Sequence, residues 1–129
     1  MNNVNLVGRI TKDPELKTTQ NGNYYVMFSV AVDRGYKDAS GEKITDFLPC
    51  LAWNSQAEFI GKYVKKGNLL EISGQLTSRT YQTTSGENKT VIEVTVGKVS
   101  NLTPKPKDEL IPQDPPQDFK NNILYDLDF

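Results

Sequence analysis

The chain has 129 residues with 15 Lys/Arg, 16 Asp/Glu, one cysteine and no histidine, and its formal net charge is −1. This composition excludes Ser-His and Cys-His catalysis and most zinc sites. No apolar run of 18 residues, no P-loop sequence and no signal peptide is found, so we expect no membrane span and no nucleotide site of that type. We therefore expect a cytoplasmic, non-enzymatic protein that needs no cofactor.

Charge divides the chain into two parts. Residues 1–103 carry 12 Lys/Arg and 10 Asp/Glu, a net of +2, and residues 104–129 carry three Lys and six Asp/Glu, a net of −3. The second part has five prolines in its first 16 residues and too few apolar residues to fold alone. We expect one folded domain over 1–103, followed by a disordered linker with an acidic tip over 104–129.

Three segments of alternating or β-branched residues predict the first three strands. They are NVNLVGRI (3–10), YYVMFSVAV (24–32) and TDFLPCLAWN (45–54). The QNGN sequence before the second strand predicts a hairpin, and the long connection over 33–44 predicts a protruding arm rather than a tight turn. In the third strand, small apolar residues alternate with Phe47 and Trp53, so one face belongs to a core and the other presents large aromatics.

A helix and two further strands follow. The helix is predicted within SQAEFIGKYVKKGN, with Asn54 or Ser55 as its N-cap and Gly67 as its stop. The segments LLEISGQLTSRTY and KTVIEVTVGKV alternate as strands, and Gly8 and Gly74 predict bulges or bends that curl a sheet. The apolar residues at helical spacing are Ala57, Ile60, Tyr63 and Val64. Five strands with one helix between the third and fourth is the order of an all-β OB-fold barrel.

Aromatic and basic side chains share one deduced surface of this barrel. Unpaired bases stack on exposed aromatic rings, and lysine and arginine contact the phosphates. The stacking candidates are Tyr36, Phe47, Trp53 and Tyr81, and the phosphate candidates are Arg9, Arg34, Lys37, Lys43, Arg79 and Lys89. The alternative that these aromatics fill a core or a subunit interface stays open.

The chain ends in ILYDLDF, which is both apolar and acidic. An aromatic C-terminal residue flanked by aspartates suits a pocket with a basic rim on a partner protein. The predicted partner-binding tip is Asp126, Leu127, Asp128 and Phe129.

Three segments carry a family resemblance: NNVNLVGRITKDPELK, FLPCLAWNSQAEFIGKYVKKG and LEISGQLTSRTYQTTSGENKTVIEV. Over residues 1 to about 103 the chain resembles the bacterial and phage single-stranded DNA-binding proteins. The resemblance implies a homotetramer that coats and protects single-stranded DNA during replication, recombination and repair, and a C-terminal tip that recruits replication and repair proteins. The chain departs from the family at Tyr36, Phe47 and Tyr81, where tryptophan is often found. It also departs at Pro49, where a basic residue is common, and at a tip that lacks the usual proline.

Three other functions are compatible with an OB-fold of this composition. An OB module that mainly contacts proteins would not use its tip for recruitment. A nuclease would degrade a DNA strand in the presence of metal. An RNA-binding module would discriminate through the 2′-hydroxyl.

Overall fold

The computed structural model of the chain describes residues 1–104. Within this range the chain forms six β-strands and one α-helix. They are β1 (Val4–Ile10), β2 (Lys17–Thr18), β3 (Tyr24–Lys37), β4 (Lys43–Trp53), α1 (Asn54–Tyr63), β5 (Leu69–Gln82) and β6 (Asn88–Asn101).

Five long strands close into a barrel. The antiparallel pairs are β1–β5, β5–β6, β3–β4 and β1–β3, and a short parallel pairing of β4 with β6 completes the ring. The closing contacts are short: β1 meets β3 only at Arg9 and Ile10, and β4 meets β6 at Cys50 and Leu51. The two-residue strand β2 pairs antiparallel with the start of β3. The predicted five-stranded OB-fold, with its helix between the third and fourth long strands, is confirmed.

The core fills the inside of this barrel and the space under α1. Alternate residues of every long strand point inward, as the sequence pattern predicts, and α1 packs against β3, β4 and β6. Burying a side chain of valine or leucine size stabilises the fold by about 1.5–3 kcal/mol. The buried residues of the core cluster are Ile10, Val26, Val30, Cys50, Ala52, Ala57, Ile60, Val64, Leu70, Ile72, Val94, Val96 and Val99.

The start of α1 differs from the prediction. Trp53 occupies the N-cap position with an extended backbone and makes no side-chain cap hydrogen bond, so neither Asn54 nor Ser55 is the cap. Asn54 instead has a positive φ of 48° and uses its Oδ1 to accept the backbone N–H of Tyr24 at 3.2 Å. Asparagine tolerates this left-handed conformation better than most residues. The asparagine therefore ties the β4–α1 junction to the start of β3.

The end of α1 also differs. The helix stops at Tyr63, and the tyrosine is exposed rather than part of the core. The two amides after Val64 find side-chain partners instead of helical ones: Lys65 N–H donates to Asn68 Oδ1, and Lys66 N–H donates to Asp13 Oδ1. Asn68 lies three residues beyond Lys65, whereas Asp13 lies in a distant segment, and helical periodicity reveals neither partner.

The two strand glycines occupy points where backbones come unusually close. The register of β5 and β6 shifts between Ser73 and Gly74, which leaves Gly97 as an extra residue in β6 and confirms the predicted bulge. A Cβ added at Gly74 would lie 2.1 Å from the carbonyl oxygen of Thr95. Gly8 lies where β1 ends its pairing with β5 and begins its pairing with β3. It marks a close approach of β1 to β3 and not a bulge.

Three hairpin turns have the same geometry. In 19–23, 38–42 and 83–87 the N–H of the first residue donates to the carbonyl of the fifth, and the N–H of a glycine with positive φ donates back to the first carbonyl. A side-chain oxygen of the first residue accepts the N–H of the fifth in all three turns. The arm over 33–44 is therefore a β-hairpin with a tight tip, which corrects the expectation that it lacks a tight turn.

Candidate nucleic-acid interface

The outer face of β3 and β4 carries two of the predicted stacking residues. Residues opposite each other in an antiparallel pair lie on the same face of the sheet. Phe47 is opposite Ala31 and Trp53 is opposite Tyr25, so all four side chains share the face that points away from the core. The face is open to solvent, because Phe47 is 66% exposed and Trp53 is 38% exposed.

Phe47 lies in a row that crosses three strands. Ala31 is paired with Phe47 on one side and with Arg9 of β1 on the other. The small side chain of Ala31 leaves the phenyl ring uncovered between its neighbours. Arg9 Nη1 donates to the carbonyl oxygen of Gly67 at 2.9 Å, so the cation is positioned at the end of this row.

Trp53 lines an open cleft. Its ring centroid is 5.6 Å from that of Tyr25, with the two planes tilted by 43°. The cleft has a volume of about 300 Å³, and its lining is largely apolar with one arginine. The residues that line it are Thr19, Tyr25, Met27, Leu51, Trp53 and Arg79. A flat apolar ring in such a cleft can stack on a planar ligand.

Three of the predicted residues in the arm line one cleft, and the fourth, Arg34, pairs with Asp46 and also contacts Tyr36. Tyr36, Lys37 and Lys43 line a cleft of about 240 Å³. Arg34 instead donates from Nε and Nη2 to the carboxylate of Asp46 at 2.9 and 3.0 Å. Asp46 precedes Phe47 in β4, so this ion pair lies on the face of the arm opposite Phe47.

Hydrogen bonding explains the titration of the Arg34–Asp46 pair. The bond to Arg34 lowers the pKa of Asp46, and the same bond, followed by the contact with Tyr36, raises the pKa of Arg34. Both groups are therefore charged at neutral pH and neutralise each other.

The β5–β6 hairpin supplies the remaining candidates. Tyr81 is opposite Lys89, and both are exposed. Arg79 donates from Nε and Nη2 to the two carboxylate oxygens of Glu93, at 2.8 and 3.3 Å. This pairing raises the pKa of Arg79. Because Arg79 also lines the Trp53 cleft, the fold brings this hairpin to the outer face of β3 and β4.

Sequence reasoning missed three residues of the interface. Tyr25 and Met27 line the Trp53 cleft, and the alternation of YYVMFSVAV already placed them on one face. The side chain of Glu93, which pairs with Arg79, is only 4% exposed. No pattern in the sequence indicates that burial. The predicted tip residues Asp126–Phe129 lie outside the described residues.

Cys50 is a free thiol that is buried in the core. Burial, with a smaller contribution from the charge of Glu93, raises the pKa of Cys50 to about 12. Within residues 1–104 no cluster of three or more metal-binding side chains is present. Over the same range no helix has the length and apolar character required to cross a membrane.

Comparison with known proteins decides the family. Residues 1–102 match the single-strand binding protein family. The chain belongs to this family. Membership of a family of binding proteins supports the expectation that the chain is not an enzyme.

The relatives are bacterial. The chain is 43% identical over 105 residues to the single-stranded DNA-binding protein A of Bacillus subtilis, which covers 81% of this chain and 61% of the relative. It is 39% identical over 109 residues to the single-stranded DNA-binding protein 1 of Staphylococcus aureus, with 84% and 70% covered. It is 44% identical over 94 residues to the single-stranded DNA-binding protein 1 of Lactococcus lactis, with 73% and 63% covered. The chain thus spans about three fifths of the length of the Bacillus subtilis relative.

Proposed function

We propose that this protein binds and protects single-stranded DNA without sequence preference during replication, recombination and repair. The observation that carries the proposal is the Trp53 cleft, an open cleft of about 300 Å³ on the outer face of a barrel that belongs to the single-strand binding protein family. The names of its relatives support DNA as the nucleic acid.

Stacking accounts for the preference for unpaired strands. Bases in a duplex hide their faces, whereas an unpaired base offers a ring surface of any sequence to an aromatic side chain. Phe47 and Trp53 are six residues apart on one face of β4, which separates them by about 20 Å. That distance leaves room for several nucleotides between two stacking positions. Tyr36 in the arm and Tyr81 in the β5–β6 hairpin extend the proposed path.

The phosphate contacts are proposed for cations that have no carboxylate close by. Within residues 1–104, no carboxylate oxygen lies within 4 Å of the charged groups of Arg9, Lys37 or Lys89. Lys43 is 3.8 Å from Asp33 on an exposed surface, a weak pairing that DNA can displace. Arg34 is the weakest candidate for a phosphate contact, because Asp46 neutralises its charge on the face opposite Phe47. Each true phosphate contact steepens the salt dependence of binding by about 0.7 in logarithmic slope.

We extend the proposal to assembly, partners and location. The protein acts as a cytoplasmic homotetramer, and the tip Asp126–Phe129 recruits replication, recombination and repair proteins. The family supports the assembly, and the acidic and apolar composition of the tip supports recruitment. Deleting residues 120–129 tests recruitment: capture of purified replication or repair proteins should be lost while DNA binding persists, and unchanged capture would exclude this role.

The fluorescence of Trp53, the single tryptophan, tests DNA binding directly. We expect strong quenching by oligo-dT, weaker affinity at high salt and no quenching by duplex DNA. A competing ribo-oligomer measures the preference for DNA over RNA, which the 2′-hydroxyl distinguishes. Absence of both quenching and a gel shift with oligo-dT would overturn the proposal and favour a module that works through protein contacts.

A further inference from the structure

Two neighbouring clefts share one wall. The Trp53 cleft is one of them, and a second cleft of about 360 Å³ is lined by residues 11–15 and by parts of β3, β4, β5 and β6. Arg79 and Met27 line both clefts. The second cleft is more polar, since the charged side chains of Lys12, Asp13, Glu15 and Glu93 contribute to its lining. Arg79 therefore stands between two openings that are each large enough for a nucleobase.

The guanidinium of Arg79 is fixed in place. Its Nε and Nη2 both donate to Glu93, which sets the orientation of the guanidinium plane. Glu93 is 4% exposed, so movement of Arg79 towards a phosphate would leave a buried carboxylate without its partner. The Arg79 side chain itself remains 40% exposed. The pair is thus neutral in net charge, and part of the Arg79 side chain stays open to solvent.

We infer that Arg79 is a base-stacking residue and makes no phosphate contact. Its guanidinium plane, oriented by Glu93, packs against the bases that occupy the two clefts, and Met27 completes the wall. Arginine planes stack on unpaired bases in the same way as aromatic rings. This inference rests on the proposed function and replaces the role that the sequence predicted for Arg79. In this role the buried carboxylate of Glu93 orients the guanidinium plane of Arg79.

Substituting Arg79 by lysine distinguishes the effect of the planar guanidinium from the effect of its positive charge. Arg79→Lys retains a cation beside Glu93 but removes the planar surface. A stacking role predicts that affinity for oligo-dT falls by about fivefold or more, the effect of losing one base stack. A phosphate contact predicts an affinity close to that of the unaltered protein, because lysine is also a good phosphate ligand.

The salt dependence provides a second measurement. The double variant Arg79→Gln/Glu93→Gln removes both charges and leaves no buried carboxylate without a partner. We expect it to lose affinity with an unchanged logarithmic salt slope. The matched control Lys89→Gln, on the same hairpin, removes a cation that has no close carboxylate within the described residues. Its slope should decrease by about 0.7.

An abasic deoxyribose oligomer of equal length completes the test, because it keeps the phosphates and lacks the bases. The loss caused by Arg79→Lys should disappear with this probe, and the loss caused by Lys89→Gln should persist. Thermal unfolding of each variant verifies the fold, and the double variant serves if Arg79→Lys does not fold. An affinity loss that persists on the abasic probe, a slope that falls in the double variant, or unchanged affinity would each overturn the inference. Failure of the unaltered protein to bind oligo-dT would instead refute the proposed function, and this inference with it.

Discussion

A single methyl group at Gly74 should disrupt the bulge that directs the β5–β6 hairpin. In Gly74→Ala the new Cβ would lie 2.1 Å from the carbonyl oxygen of Thr95 and 3.2 Å from the Cα of Val96. Both are backbone atoms, so no side-chain rotation relieves the overlap. The first separation must grow to about 3.4 Å, an ordinary contact, which pulls the two strands apart at the bulge.

The loss of stability expected for Gly74→Ala has two parts. Overpacking of this kind costs about 1–3 kcal/mol, and each inter-strand hydrogen bond lost adds about 1 kcal/mol. We therefore expect the free energy of unfolding to fall by about 3 kcal/mol or more. Gly97→Ala is the matched control at the same bulge, because its Cβ would meet nothing closer than the Ser73 carbonyl oxygen at 3.4 Å. This control should change stability by less than about 1 kcal/mol.

Urea unfolding followed by circular dichroism measures the difference. With a slope of about 1–3 kcal/mol per M, a loss of 3 kcal/mol lowers the unfolding midpoint by about 1 M or more. Equal midpoints for Gly74→Ala and Gly97→Ala would refute the close approach of β5 and β6. The hairpin that carries Arg79 and Tyr81 would then need another explanation for its direction.

Three further predictions concern stacking and titration. Phe47→Ala should weaken oligo-dT binding by about 5- to 150-fold in a fluorescence titration, whereas Tyr63→Ala should not, although the two rings are 66% and 64% exposed; equal losses would contradict the proposed face. Because the pKa of Cys50 is raised to about 12 from an ordinary value of 9.0, native protein at pH 9 should react with iodoacetamide roughly 500-fold more slowly than the unfolded chain. Stability should also decline as pH rises from about 9 towards 12, since only the unfolded thiol ionises there; similar alkylation rates would contradict both statements. Hydrogen bonds, that from the Ser40 hydroxyl first, lower the pKa of Asp38, so the turn at the arm tip should be favoured above about pH 4 and weaken as pH falls through the lowered pKa. A carboxyl titration by NMR with a midpoint at or above about 3.9 would contradict this.

Much of the fold follows from local rules that a sequence displays directly. Strand side chains alternate, so the exposed positions of Phe47 and Trp53 were predicted from their spacing alone. The QNGN sequence, with its glycine, predicted the hairpin at 20–23. The order of strands and helix then indicated the barrel. Each of these features depends on neighbours within a few positions along the chain.

Long-range contacts decided what the sequence could not. From the sequence, Arg34 in the predicted arm and Arg79 and Lys89 in predicted strands are equivalent candidates for phosphate contacts. Only the fold reveals that Asp46 neutralises Arg34 and that buried Glu93 neutralises Arg79. The same reason applies in part to the end of α1, since Asp13 supplies a partner for the Lys66 amide from a distant segment.

The parallel contact of β4 with β6 is the clearest example of a feature that local sequence patterns do not reveal. It closes the barrel at Cys50 and Leu51, and it brings the Arg79 hairpin to the Trp53 cleft. Alternation reveals which face of a strand a residue occupies, because backbone sterics determine it locally. Which strand lies beside it depends on how all five strands close one barrel around a shared core, and only the tertiary structure contains that information.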